Sequence, residues 1–365
     1  MRDFFKKEPI LCIAALAALL SCLAVPPDAA YLGYIDFRTL ALLWALMLVV
    51  AGLRNAGLFT HLAHLACERA RTVRGMGMLL VCLAFFSSML ITNDVALLTF
   101  VPFAVVLLGM ANRQQDLMLI VVLQTAAANL GSMLTPVGNP QNLYIYSRYN
   151  LSAGDFFRVT GPVWLLSLAL VLALCMLLPA ARISAFLGEE PGMDRKKLRL
   201  HLLLFGVCLL SVFRLPGWPL LLIILLAALL ALDRKRLRDA DYMLLLTFVA
   251  FFVFAGNLAR VEAVDRALRQ LLDGREYVTA LLASQVISNV PAALLLSGFT
   301  GNARALLLGV DIGGLGTPIA SLASLISLKL YSRTRGARTG RYLLLFTLIN
   351  LLLLALLSAS LLFLK

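Results

Sequence analysis

The sequence predicts an all-α polytopic membrane protein of inverted-topology repeats, with two re-entrant hairpins, broken helices and about nine to eleven transmembrane segments. Three observations predict it. The 365 residues are 61% hydrophobic, and apolar runs of membrane-spanning length recur from Ile10 to Leu364. Asn129-x-Gly131-x-x-x-Thr135-Pro136 reappears as Asp311-x-Gly313-x-x-x-Thr317-Pro318, at one constant offset of 182 residues (129 to 311, 131 to 313, 135 to 317). Basic residues gather in alternate loops. Continuous apolar runs exclude a β-barrel, which requires alternation.

Taken in order, the first span is 10–25, after the basic Arg2, Lys6 and Lys7. A basic start, an apolar run and small residues at 24–30 have the layout of a signal peptide, and Leu20-Ser21-Cys22 has a weak lipoprotein flavour. The many spans downstream favour a retained first helix. Span 39–53 follows, then an amphipathic stretch in which His61 and His64 stand at i, i+3. We read that pair as an interfacial face rather than a metal site. The apolar stretch 76–108 is broken at its centre and is either two helices or a hairpin entering and leaving on one side. Spans 117–134 (with a tail to about 146), 160–179, 199–213, 217–232 and 242–258 come next. A second broken region at 277–300 and spans 305–328 and 342–363 complete the chain.

Placing the N-terminus inside puts most of the 32 basic residues inside, including Arg54, Arg69, Arg71, Arg74, Arg182, 195–199, 234–238 and 329–341. The net charge of +13 therefore reads as topology rather than nucleic-acid binding. Arg260, Arg266, Arg269 and Arg275 fall outside, but they alternate with Glu262, Asp265, Asp273 and Glu276 as on an amphipathic surface helix. Residues 1–180 then form a first repeat and 217–365 a second. The linker 181–216 carries one span that inverts the second copy. Ala51-Gly52-Leu53 and Ala255-Gly256-Asn257 end counterpart spans.

No Walker-type phosphate loop is present, so this chain is not read as an ATPase. The six cysteines are scattered without metal-ligand spacing and read as packing residues. No nucleophile–base or metal set occurs within the spans, so no enzyme is expected.

The chemistry concentrates at four breaks. The hairpin centres carry Thr92-Asn93-Asp94 and Ser288-Asn289-Val290-Pro291. Carbonyls freed there can ligate a cation, and the returning helix offers N–H groups to an anion. In the repeated motif, Gly131, Gly138 and Gly313 permit tight backbone, while Pro136 and Pro318 remove helix hydrogen bonds. Thr92, Asn93, Asn129, Thr135, Asn142, Ser288, Asn289 and Thr317 are candidate ligands of substrate. Asp94 and Asp311 are candidate ion-coupling residues, since a carboxylate at membrane depth is costly. Each can alternatively cap a half-helix. The serines at 321, 324 and 327 line one helix face, either as ligands or as small packing residues.

At Asn93-Asp94-x-Ala96-Leu97, Asn289-x-Pro291 and Asp311 to Ala323, the chain resembles the ion transporter superfamily. That group spans arsenite-efflux permeases, NhaD-type sodium/proton antiporters and divalent-anion/sodium symporters with citrate-transporter-like domains. The resemblance implies a scaffold and a mobile transport domain, an elevator motion and frequently a homodimer. Asp94 and 311–323 look closer to the arsenite and antiporter branches than to the sodium-coupled dicarboxylate carriers, whose tips read Ser-Asn-Thr.

The expected function is a secondary transporter of a small inorganic or carboxylated anion, coupled to protons or sodium, in a bacterial inner membrane. A sodium/proton antiporter is the alternative. No cofactor is expected beyond sodium as coupling ion. The partners expected are the anion, the coupling ion, the lipid bilayer and a second copy of the chain, with no nucleic acid.

Overall fold

The structure, a computed structural model, describes residues 8–68, 70–183 and 192–362, apart from the side chains of Ala66 and Cys67. Arg2, Lys6, Lys7 and Arg69 of the charge pattern lie outside the described residues. The described residues form helices with no sheet; one isolated bridge joins Thr72 and Arg182.

The first half contains α1 (Pro9–Ala24), α2 (Ala30–Tyr34), α3 (Phe37–Asn55), α4 (Leu58–Cys67), α5 (Val73–Ile91), α6 (Asn93–Met110), α7 (Gln114–Gly131), α8 (Pro140–Arg148) and α9 (Ala153–Cys175). Then come α10 (Arg195–Val212), α11 (Trp218–Leu232), α12 (Tyr242–Arg260), α13 (Glu262–Leu272), α14 (Glu276–Ile287), α15 (Asn289–Leu296), α16 (Ala303–Gly313), α17 (Leu322–Ser332) and α18 (Thr339–Ser360). Among the described residues, seven helices are long and apolar enough to cross a membrane, and α1, α11 and α17 are shorter apolar helices.

Local sequence explains the starts. Asp36 caps α3 by accepting from the Thr39 N–H, and Asp241 caps α12 by accepting from the Leu244 N–H. These are counterpart helices, and they begin with the same device. The packing crosses between halves: α1 lies along α12, whereas α10 lies along α3. At the first of these contacts the buried Asn257 Nδ2 donates to Ser21 Oγ (2.9 Å) and Tyr31 Oη (2.8 Å).

Loop contacts define two ends of the molecule. At the basic end, Val73 N–H bonds Ala181 O and Asp194 N–H bonds Ala56 O. There too Asn55 Nδ2 bonds Asp239. The basic loops at 54, 71–74, 182, 194–199 and 234–239 therefore share one end. At the opposite end Arg260 pairs with Asp28 (2.8 Å), Arg214 bonds Asn150, and Tyr149 bonds the carbonyls of Ser297 and Thr300. The arginines of α13 pair along their own helix, Arg269 with Asp265 and Arg266 with Glu262.

The stretch left open as two helices or a hairpin is resolved by its turn. One residue, Thr92, separates α5 from α6, the two helices pack together, and the buried Asn93 N–H bonds Gly138 O. Its counterpart α14–α15 turns at Ser288 and opens at the opposite end, where Gly298 O accepts from Arg269. The two hairpins thus open oppositely, as inverted repeats require. They are unequal: α6 has 18 residues but α15 only 8, and α7 has 18 but α16 only 11. Pro291 does not make the second break. It lies in the first turn of α15, where its missing N–H costs nothing.

His64 is buried, with Nδ1 3.4 Å from Glu68, so only part of the α4 face is interfacial as expected. Among the described residues, no three His, Cys, Asp or Glu side chains gather as metal ligands.

Candidate functional site

The two tips have the same rare backbone. Thr92 has φ 69° and ψ 149°, and Ser288 has φ 73° and ψ 154°. That region is essentially reserved for glycine and costs about 1–3 kcal/mol per residue elsewhere. After each tip, the asparagine side chain accepts the next N–H: Asn93 from Asp94 (3.0 Å) and Asn289 from Val290 (2.9 Å).

Each repeated motif seats its own hairpin in the same way. Thr135 Oγ1 donates to Met89 O, and Thr317 Oγ1 donates to Gln285 O at 3.2 Å. Both acceptors lie three residues before a tip. The threonine hydroxyl protons, expected to reach a substrate oxygen, are therefore spent on backbone. Close approach explains the motif glycines. A Cβ on Gly131 would stand 2.0 Å from Phe85 O, and one on Gly313 would stand 2.9 Å from the Ser284 side chain. Sequence reasoning missed Ser88, Ser284 and Gln285. Gln285 Nε2 donates to Gly313 O (2.7 Å), and its Oε1 accepts the Thr317 N–H (3.0 Å). A second constant offset, 196 residues from 88 to 284 and from 92 to 288, marks the serines beside the tips.

The halves then lock through reciprocal bonds. Asn139 caps α8 and Ser321 starts α17, and the offset of 182 relates them. Each reaches the head of the other half's motif. Ser321 Oγ donates to Asn129 Oδ1 (3.1 Å), and Asn139 Nδ2 donates to Asp311 Oδ1 (3.4 Å). Asn129 is the hub. Its Oδ1 also accepts from Asn93 Nδ2 (2.9 Å), and its Nδ2 faces Ser324 Oγ (3.3 Å) and Gly314 O (3.5 Å). Asn142 ties down the first break by donating to the carbonyls of Ser132, Met133 and Thr135.

Beside this knot lies a cavity of about 530 Å³ between α3, the start of α12, the first tip, the start of α8, and α17. Thr92, Asp94 and Asn139 line its depth; Arg54, Asp239, Asp241 and Lys329 line it at the basic end. Asp94 Oδ1 is buried without a hydrogen-bond partner. Of the expected residues, Thr92 and Asp94 face this cavity. Asn93, Asn129, Asn142, Ser288, Asn289 and Asp311 are in the buried knot behind it. Pro136 falls in the non-helical link of the first break, Pro318 opens a short 3-10 turn (Pro318–Ala320) in the second, and Gly138 supplies the carbonyl that receives Asn93. Ser288 Oγ donates to Ala320 O (3.3 Å).

Comparison with known proteins agrees with this architecture. The chain is 31% identical over 311 residues to the uncharacterized transporter MJ0456 of Methanocaldococcus jannaschii, covering 85% of each chain. It is 31% identical over 307 residues to the inner membrane protein YbiR of Escherichia coli, covering 82% of each. A shorter similarity, 32% over 154 residues, links 42% of the chain to 31% of the silicon efflux transporter LSI3 of rice. The family model described as citrate transporter (CitMHS) matches residues 6–304, ending short of Asp311. With paired hairpins, broken helices and a polar knot at their meeting point, this integral membrane protein belongs to the citrate transporter family, within the ion transporter superfamily.

Proposed function

We propose that the protein is a secondary active transporter that moves a small inorganic or carboxylated anion, coupled to protons or sodium bound at Asp94. The observation that carries this reading is the unpartnered Asp94 Oδ1 beside the strained Thr92 in a cavity between α3 and the first hairpin. A carboxylate in that position gains a partner only when a cation enters. The cavity lining holds Glu8, Asp94, Asp239 and Asp241 against Arg54 and Lys329. An anion meets net repulsion there that a cation bound at Asp94 reduces, so cation binds first and anion second. That order is what obligate coupling needs.

The basic end is cytoplasmic in this reading, by the positive-inside rule, and the membrane is a bacterial inner membrane. The cavity then faces inward, with α1, α3 and α10–α12 as scaffold and the hairpin-bearing helices as the moving body of an elevator.

The same excess of carboxylates favours a second reading, a sodium/proton antiporter that needs no anion. Proteoliposomes separate the two. Uptake of arsenite, sulfate, succinate and citrate is measured under imposed proton or sodium gradients, for the parent protein and for Asp94→Asn. Gradient-driven anion uptake lost in Asp94→Asn supports the first reading. Sodium-driven proton movement without any anion supports the second. No flux under any gradient sinks both.

A further inference from the structure

Asp311 lies one residue behind the cavity, 3% exposed, on α16. Its Oδ1 takes two long carboxamide bonds, from Asn139 Nδ2 (3.4 Å) and Gln141 Nε2 (3.5 Å), while its Oδ2 has no partner. Asn142 stands beside the same carboxyl, fully buried, and its Oδ1 also lacks a partner. Its amide hydrogens are already directed to three carbonyls. The carboxyl therefore meets three carboxamides and no charged donor, and its Oδ2 stays without a partner.

No charge compensates the carboxylate. The side chains that act on it are the carboxamides of Asn139, Gln141 and Asn142. Tyr144 on α8 is engaged with Ser297, Tyr277 on α14 with Ser358 and Tyr342 on α18 with Ser327, and among the described residues no charged group of the elements packed around α16 acts on the carboxyl. Burying a carboxylate without a compensating charge is strongly unfavourable, and protonation removes that cost. The symmetry mate is informative. Asn129 occupies the equivalent place with an N–H donor where Asp311 has a bare oxygen, and that donor reaches Ser324, the mate of Asn142.

We propose that Asp311 is a proton-carrying site: one proton resides on the orphan Oδ2, so that the carboxyl stands neutral among the carboxamides of Asn139, Gln141 and Asn142. One proton enters and the carboxylate charge goes from −1 to 0. A sodium ion is held by several oxygens, and Oδ2 is the oxygen of this carboxyl left without a partner. Asn139 lines the cavity and also holds Asp311, so it is the point where a proton passes between the cavity and the buried carboxyl. Loss of that proton strengthens the bonds that Asn139 and Gln141 donate to the carboxylate and tightens α8 onto α16, and with it the reciprocal lock between halves. This rests on the coupled-transport reading in its mechanism, but the site itself stands apart from it.

Infrared spectroscopy of the purified full-length protein in nanodiscs tests it. The expected result is a protonated-carboxylic C=O band at neutral pH that is lost in Asp311→Asn, kept in Asp94→Asn, shifted in Asn142→Leu and unchanged by adding sodium. The Asn142→Leu shift keeps the test valid where Asp311→Asn fails to fold. A spectrum identical in Asp311→Asn overturns the proposal, and so does a band that sodium abolishes, which would make Asp311 a sodium site. Absence of flux in liposomes would sink the transport reading while leaving the band in place, so the two failures are distinct.

Discussion

At the residue scale, the tips hold strain and the knot relieves it. Thr92 and Ser288 occupy backbone that costs about 1–3 kcal/mol each, and glycine would adopt it freely. Thr92→Gly and Ser288→Gly are therefore expected to raise the melting temperature in detergent while slowing transport, because a tip that no longer resists its shape no longer holds Asp94 in place. Unchanged melting in both variants would remove strain from the account. Asn129 is expected to behave oppositely. Asn129→Ala leaves Asn93 Nδ2 and the hydroxyl of Ser321 facing an apolar methyl. Each buried group left unpaired costs about 1–3 kcal/mol, so the variant should melt several degrees lower than Asn142→Ala or fail to assemble. A melting curve that matches the parent would show that water replaces the carboxamide at no cost.

At the element scale, each broken helix is fitted against its hairpin without room for a side chain. Gly131→Ala drives a methyl to 2.0 Å from the Phe85 carbonyl oxygen, whereas Gly313→Ala meets the Ser284 side chain at 2.9 Å and the Leu281 Cα at 3.0 Å, a milder overlap. The first substitution should destabilise by at least 2 kcal/mol more than the second, of the size seen for overpacking, measured by chemical denaturation in detergent. Much of this was legible in the sequence. The hydrophobic runs located nearly every helix, and the paired motifs located both breaks, because Gly, Pro and Asn are conspicuous in apolar text. The role of Thr135 and Thr317 was not legible: a hydroxyl in a helix break reads as a ligand until its acceptor, Met89 O or Gln285 O, is seen. Gln285 itself was hidden because one glutamine in a helix carries no pattern. The reciprocal pairing of Asn139 with Asp311 and Ser321 with Asn129 was hidden too, since it depends on which ends of four helices converge.

At the scale of the whole molecule, the cavity reaches the basic loops, where Arg54, Asp239, Asp241 and Lys329 line it. Cysteines placed at Lys329 and Val95, in a background free of native cysteine, report on it. Both should react with an impermeant maleimide in inside-out vesicles, and Lys329→Cys should not react in right-side-out cells. Labelling of Lys329→Cys from the outside would reverse the orientation and require the cavity to face outward.

The inequality of the hairpins has an electrical consequence. The 18-residue α6 is about 27 Å long and the 8-residue α15 about 12 Å. Measured along these helices, the meeting point of the tips is farther from the basic end than from the opposite one. The cavity, however, opens from the basic end to Asp94, so the voltage falls mainly across the protein beyond it, and a charge travelling between Asp94 and the far side crosses the larger share of it over the shorter distance. The full drop is worth about 2.3 kcal/mol per charge per 100 mV, so cation exchange with the far side feels the voltage more strongly than exchange with the basic side.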